Sequence, residues 1–383
     1  MKNILVFIIF VLLIVVGIYF FNKNDNIPVQ LKEIVEEFPE EKTDDIFNDY
    51  YNDATKLMST MTLEEKVGQL FLVGYDSNLA SRYIKNYAVG GFVFFAKDFQ
   101  NHDKVTIKDE ITSIQKVTKV PLALAVDEEG GYVTRVSRFP AFRSEKFKSN
   151  RVLFETGGYE LVETSEKEKA ELLLGLGLNL NLAPVADVST DSNDYINIRT
   201  FGRNASETAQ FISNIVGYNN EAGISSCLKH FPGYGNNVDT HTGIAIDERN
   251  YDVFVNNDFL PFKSGIEAGV PTILVSHNIV KSMDSDFPAS LSKKVIGELR
   301  NTLGFSGVVI TDDLSMGAVS EYVEDNNAAT YAINAGNDMI ITFDIETMYN
   351  EVLNSVKSGI IDEKTIDMAV KRIIAWKYAY KII

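Results

Sequence analysis

Eight short apolar runs punctuate this chain, at residues 69–74, 91–96, 121–126, 178–183, 225–228, 272–275, 307–310 and 339–343. Each is close to continuously apolar rather than alternating, as expected of strands covered on both faces of a parallel sheet. Stretches of helical pattern lie between them, among them residues 165–174, 207–222 and 292–302. Eight strands with intervening helices is the count of a (β/α)8 barrel. A doubly wound open sheet is the competing arrangement, but no Gly-x-Gly-x-x-Gly turn follows the first run. Residues 345–358 and 364–379 read as closing helices. The expected fold is therefore α/β, a TIM barrel with C-terminal helices over residues 46–383.

Two segments precede the barrel. Residues 4–21 carry no charge and are rich in Ile, Val, Leu and Phe. At about 1.5 Å per residue they are just long enough to span the hydrocarbon layer. Bulky Tyr19, Phe20 and Phe21 end the run where a cleavable signal has small residues. Residues 1–22 are thus read as an N-terminal transmembrane anchor, with a cleaved signal as the alternative. Residues 23–45 are polar and acidic and read as a tether. The net charge of −17 argues against nucleic acid and against anionic lipid as electrostatic partners. It also favours an extracytoplasmic catalytic domain, held at the cell membrane or secreted after cleavage. Cys227 is the one cysteine, so the chain can form no internal disulfide and no cysteine-based zinc site.

In barrels of this kind the chemistry sits at the C-terminal ends of the strands. The polar residues that follow the runs are therefore candidates. Asp127-Glu128-Glu129 follows the third run, Asp187 the fourth, Lys229-His230 the fifth, Ser276-His277 the sixth and Asp312-Asp313 the seventh. Of the histidines His102, His230, His241 and His277, three fall on this face. A carboxylate at Asp312 can attack an anomeric carbon, or it can cap the next helix, a role that suits Asp313 better. Asp239 and His241 stand two apart, so the carboxylate can fix the tautomer of the ring and leave its other nitrogen for acid and base work. A local loop hydrogen bond is the plainer reading. Lys229 and His230 can bind hydroxyls by charge-assisted bonds, or Lys229 can sit in a structural ion pair. Asp127, Arg135 and Arg199 can hold further hydroxyls, the arginines being otherwise solvated surface groups. No metal site and no cofactor are expected, since the three histidines come from different strands. A metal centre built from two histidines and a carboxylate is the minority alternative.

At these residues the chain resembles glycoside hydrolase family 3, and within it the single-domain β-N-acetylglucosaminidases of bacterial cell-wall glycan. The resemblance runs from about Thr62 to Tyr378. It is carried in order by Thr62-Leu63-Glu64-Glu65-Lys66-Val67-Gly68-Gln69-Leu70, Val126-Asp127-Glu128-Glu129-Gly130-Gly131 with Arg135, and Asn181-Leu182-Ala183-Pro184-Val185-Ala186-Asp187. Arg199-Thr200-Phe201-Gly202, residues 229–241, Pro288-Ala289-Ser290-Leu291-Ser292 and Thr311-Asp312-Asp313-Leu314-Ser315-Met316 follow. The resemblance implies Asp312 as the nucleophile of a retaining mechanism, with His241 as acid/base and Asp239 as its partner. It implies Asp127, Arg135, Arg199, Lys229, His230 and His277 as substrate-binding residues. Other members supply a glutamate from a following domain, and the resemblance implies that His241 with Asp239 serves here instead. This chain has Tyr234 where the family commonly has His, and Asp239 stands ten residues after Lys229, one fewer than is common.

The expected activity is retaining hydrolysis of terminal β-linked N-acetylglucosamine from peptidoglycan fragments or related glycans, by a monomer. A β-N-acetylglucosaminide phosphorylase, a broader β-glycosidase and a non-catalytic surface glycan-binding protein are the alternatives.

Overall fold

The computed structural model describes residues 45–237, 245–315, 319, 323 and 327–383. The segment read as an anchor, the tether up to residue 44, and Asp239 and His241 lie outside the described residues. Among the described residues, no helix is long and apolar enough to cross a membrane.

Among the described residues, ten strands follow in chain order. They are β1 (Phe71–Gly74), β2 (Gly91–Phe94), β3 (Ala123–Val126), β4 (Leu180–Asn181), β5 (Ser225–Phe231), β6 (Ile246–Asp247), β7 (Thr272–Val275), β8 (Ile279–Val280), β9 (Val308–Asp313) and β10 (Met339–Thr342). Eight close a parallel barrel in the order β1-β10-β9-β7-β5-β4-β3-β2, while β6 and β8 pair with each other outside it. Each predicted run contributes one barrel strand. Closure is in register at the seam, where Leu72 pairs with Gly91 on one side and Ile341 on the other.

The boundaries differ from the runs where polar groups find partners. β4 is short because asparagine amides extend the pairing to β3. Asn179 accepts from the Leu124 amide at 2.8 Å, and Asn181 accepts from the Glu128 amide at 3.0 Å. β5 runs on through Lys229 and His230, because both polar side chains are satisfied inside the protein. β9 likewise continues to Asp312 and Asp313.

The helices begin where their sequences place caps. Thr62 and Glu65 form a reciprocal capping box at the start of the helix Leu63–Gln69. Asn204 caps the helix Ala205–Ala222 through the Glu207 amide. That helix and Phe259–Glu267 pack on β5 and β7 through Phe211, Ile212, Ile215, Phe259 and Phe262 against Leu228, Phe231 and Ile273. Each such side chain contributes about 1.5–3 kcal/mol on burial. The helix Asn150–Leu176 is broken at Gly157 and Gly158, which lie outside helical backbone angles.

The last helix, Glu363–Ala379, closes the N-terminal end of the barrel. The indole N–H of Trp376 donates to Ser225 Oγ at 2.8 Å, at the start of β5. Lys377 Nζ donates to Gln69 Oε1 and to the Gly90 carbonyl, both at 2.9 Å, just before β1 and β2. Arg372 and Arg300 share Asp338, the residue before β10. With this end sealed, access to the barrel core comes from the opposite end.

Candidate active site

At the C-terminal ends of the strands lies a cavity of about 380 Å³. Asp127, Arg135, Arg199, Lys229, His230 and Asp312 all line it, as do Glu129 and Asp313. Six of the nine residues given a catalytic or binding role from sequence thus share one cavity. His277 stands behind its wall, and Asp239 and His241 lie outside the described residues.

Lys229 is buried and held by two carboxylates, Asp127 at 2.6 Å and Glu129 at 2.7 Å. The ion pair expected for Lys229 is therefore present, and Lys229 also lines the cavity. Glu129 also receives a forked pair of bonds from Arg199, at 2.7 and 3.1 Å. Burial disfavours charge on Glu129, but Lys229 and Arg199 outweigh it and hold the carboxyl well below the usual range. Burial likewise opposes charge on Lys229, yet Asp127 and Glu129 raise its pKa overall. Both partners stay charged near neutral pH.

Arg199 Nη2 lies 3.2 Å from His230 Nε2. A guanidinium only donates, so Nε2 accepts and the ring proton sits on Nδ1. Nδ1 then donates to Asp187 at 2.8 Å. Asp187 also accepts from the backbone amides of His230 at 3.1 Å and Tyr234 at 2.7 Å. It therefore fixes both the ring and the turn that follows β5.

The acidic triplet after β3 divides its work. Asp127 meets Lys229, while Glu129 meets Arg199 and Lys229. Glu128 turns away and accepts from the amides of Arg135 at 2.8 Å and Val136 at 2.7 Å, and from the Ser137 hydroxyl. This folds the loop so that Arg135 reaches the cavity. Its Nε is buried with no hydrogen-bond partner among the described residues. The loop opens with Gly130 at φ +92°, where a side chain would also strike the Lys148 carbonyl at 2.5 Å.

Asp312, next to last in β9, stands across the barrel from the end of β3 and Asp127. Its Oδ1 accepts from the Asp313 amide at 2.9 Å, and Asp313 Oδ1 accepts from the Ser315 amide at 2.9 Å. The turn-making role thus falls to Asp313. His277 Nε2 lies 3.0 Å from the Asp313 carbonyl, so it must donate, and Nδ1 accepts from Ser290 Oγ at 2.7 Å. His277 braces the end of β9, and the Pro288–Ser292 segment supplies its hydroxyl partner.

Glu129 and Asp187 are among the polar residues that follow the runs, but the sequence assigns neither a role. Their position after the third and fourth runs was the available signal, but which partners they meet depends on barrel closure. Tyr132, Tyr195, Phe95 and Phe343 also line the cavity without any local sequence signal. Among the described residues, no group of three or more His, Cys, Asp or Glu side chains is placed to hold a metal ion.

Residues 62–376 match the glycosyl hydrolase family 3 N terminal domain. A β-hexosaminidase A of Pseudoalteromonas piscicida is 30% identical over 279 residues, covering 68% of this chain and 47% of that protein. A β-hexosaminidase of Methylobacillus flagellatus is 30% identical over 288 residues, covering 72% of this chain and 79% of that one. Among solved structures, a glycoside hydrolase family 3 β-N-acetylglucosaminidase from Paenibacillus sp. str. FPU-7 superposes with a TM-score of 0.79 at 28% identity. That match covers 84% of this chain and 63% of the other.

Proposed function

The chain belongs to glycosyl hydrolase family 3, and from that premise we propose that it is a retaining β-N-acetylhexosaminidase that releases terminal β-linked N-acetylglucosamine from peptidoglycan fragments or related glycans. The observation that carries this reading is the meeting of Asp312 with Asp127, Arg135, Arg199, Lys229 and His230 in one cavity at the C-terminal ends of the strands.

Asp312 attacks the anomeric carbon, and the bond to the leaving oxygen breaks. His241, supported by Asp239, gives that oxygen its proton. The glycosyl ester on Asp312 is then attacked by water, whose proton returns to His241, and the Asp312 carboxylate is released. Asp127, Arg135, Arg199, Lys229 and His230 bind the hydroxyls of the sugar, and their mutual ion pairs hold them in place before it arrives. The enzyme works as a monomer outside the cell, tethered through residues 4–21 or released by cleavage after them.

The test is Asp312→Ala assayed on an aryl β-N-acetylglucosaminide. Turnover is expected to fall by on the order of 10³-fold or more with an unchanged melting temperature. Activity within a few-fold of the native enzyme removes Asp312 from its role. Product analysis with and without phosphate in the same assay separates hydrolysis from phosphorolysis.

A further inference from the structure

Taken round the barrel in spatial order, the cavity wall has two halves. β3, β4 and β5 are neighbours, and their ends carry the charged network of Asp127, Lys229 and His230. β10, β1 and β2 are also neighbours, and their ends carry Phe343, Gly74 and Phe95. Tyr132, in the loop after β3, lines the same cavity. β9 with Asp312 stands next to β10, at the edge of the aromatic half.

Phe343 is held firmly. Its ring centroid lies 5.3 Å from that of Phe95. A side chain on Gly74 would come within 2.2 Å of the Phe343 ring, so only glycine there admits it. Its amide donates to Ser315 Oγ at 3.0 Å, three residues beyond Asp312. Even so, Phe343 is 47% exposed, and Tyr132 is 72% exposed. Single exposed aromatics are ordinary on protein surfaces. A ring fixed by a glycine floor, with a second exposed ring on the same polar cavity, is a built apolar platform. Aromatic faces attract the weakly positive C–H groups that line one face of a pyranose ring.

We propose that Phe343, supported by Phe95, binds the sugar on the leaving-group side of the bond that is cut, by stacking on its pyranose ring. The inference rests on the retaining glycosidase reading of the cavity. The same platform then receives sugar acceptors when the glycosyl ester on Asp312 is opened. In that step an acceptor hydroxyl bonds to the anomeric carbon, the ester C–O bond breaks, and the hydroxyl proton passes to the acid/base. Water completes the same exchange in hydrolysis.

The experiment uses the full chain with an aryl β-N-acetylglucosaminide as donor, and N-acetylglucosamine or methanol as acceptor. Transfer and hydrolysis products are quantified by mass spectrometry. Their ratio reports how one intermediate partitions, so it does not depend on the folded fraction or on how the donor bound. In Phe343→Ala, the ratio for sugar transfer is expected to fall by about fivefold to tenfold, with methanol transfer unchanged. Phe343→Trp should keep the native ratio. Sugar and methanol ratios that stay unchanged, or that fall together, overturn the aromatic site and leave the glycosidase reading intact. A native enzyme that does not turn over the donor overturns both.

Discussion

Two lysines are buried at opposite ends of the same barrel, and they are held in opposite ways. Lys229, at the C-terminal end, lies between Asp127 and Glu129, and its pKa is raised against the cost of burial. Lys377, at the N-terminal end, meets among the described residues only the neutral oxygens of Gln69 and Gly90, and burial pushes its pKa down to about 7. Both ends also carry buried arginine–carboxylate groups, Arg199 with Glu129 above and Arg300 and Arg372 with Asp338 below. Burial and ion pairing therefore do not by themselves mark an active site. The upper cluster lines an open cavity, whereas the lower one is closed by the last helix. A buried ion pair is weak evidence for net stability in any case, although removing one partner is costly.

The sharpest way to break the comparison is at the upper lysine. Lys229→Met takes away the cation that two carboxylates share in the wall of the cavity. The value of kcat/KM on an aryl β-N-acetylglucosaminide should fall by about 10²–10³-fold. A fall that tracks only the folded fraction would make Lys229 a structural residue like those below.

Asp338→Asn is the matching change at the lower end. It leaves Arg300 and Arg372 without their shared charge and should cost about 3 kcal/mol of unfolding free energy in a denaturant titration. Turnover per folded molecule should not change. A selective loss of turnover at full stability would erase the distinction between the two ends.

The smallest effect concerns Lys377. In the unfolded chain its ammonium titrates near its ordinary 10.5, but in the fold near about 7. Between those values unfolding takes up a proton, so stability rises with pH by up to about 1.4 kcal/mol per unit. Below the folded value the ammonium is protonated in both states, and this contribution is flat. Lys377→Met should remove the rise between pH 7 and 9, measured as unfolding free energy against pH and compared with the native chain. An identical slope in both proteins would mean that Lys377 is charged in the fold.

The two ends also differ in how readable they are from sequence. The eight apolar runs and the helical stretches between them are local patterns, and a period or an apolar run needs no partner to be recognised. They determined the barrel, and with it the rule that polar residues after the runs share one face. Asp127, Lys229, His230 and Asp312 were found in this way, and the capping box at Thr62 and Glu65 belongs to the same local class. What only the tertiary structure decided is who meets whom. Lys229 and Asp127 are 102 residues apart, and nothing local assigns Glu128 to its own loop and Glu129 to Arg199. His277 ends as a brace for β9 because a carbonyl and a hydroxyl take up its two nitrogens. Phe343 gains its place from Gly74 across the β1–β10 seam, and Lys377 its low pKa from a helix that shuts the far end. Each of these depends on closing the barrel, since desolvation and ion pairing act between groups that only the closed fold brings within a few ångströms.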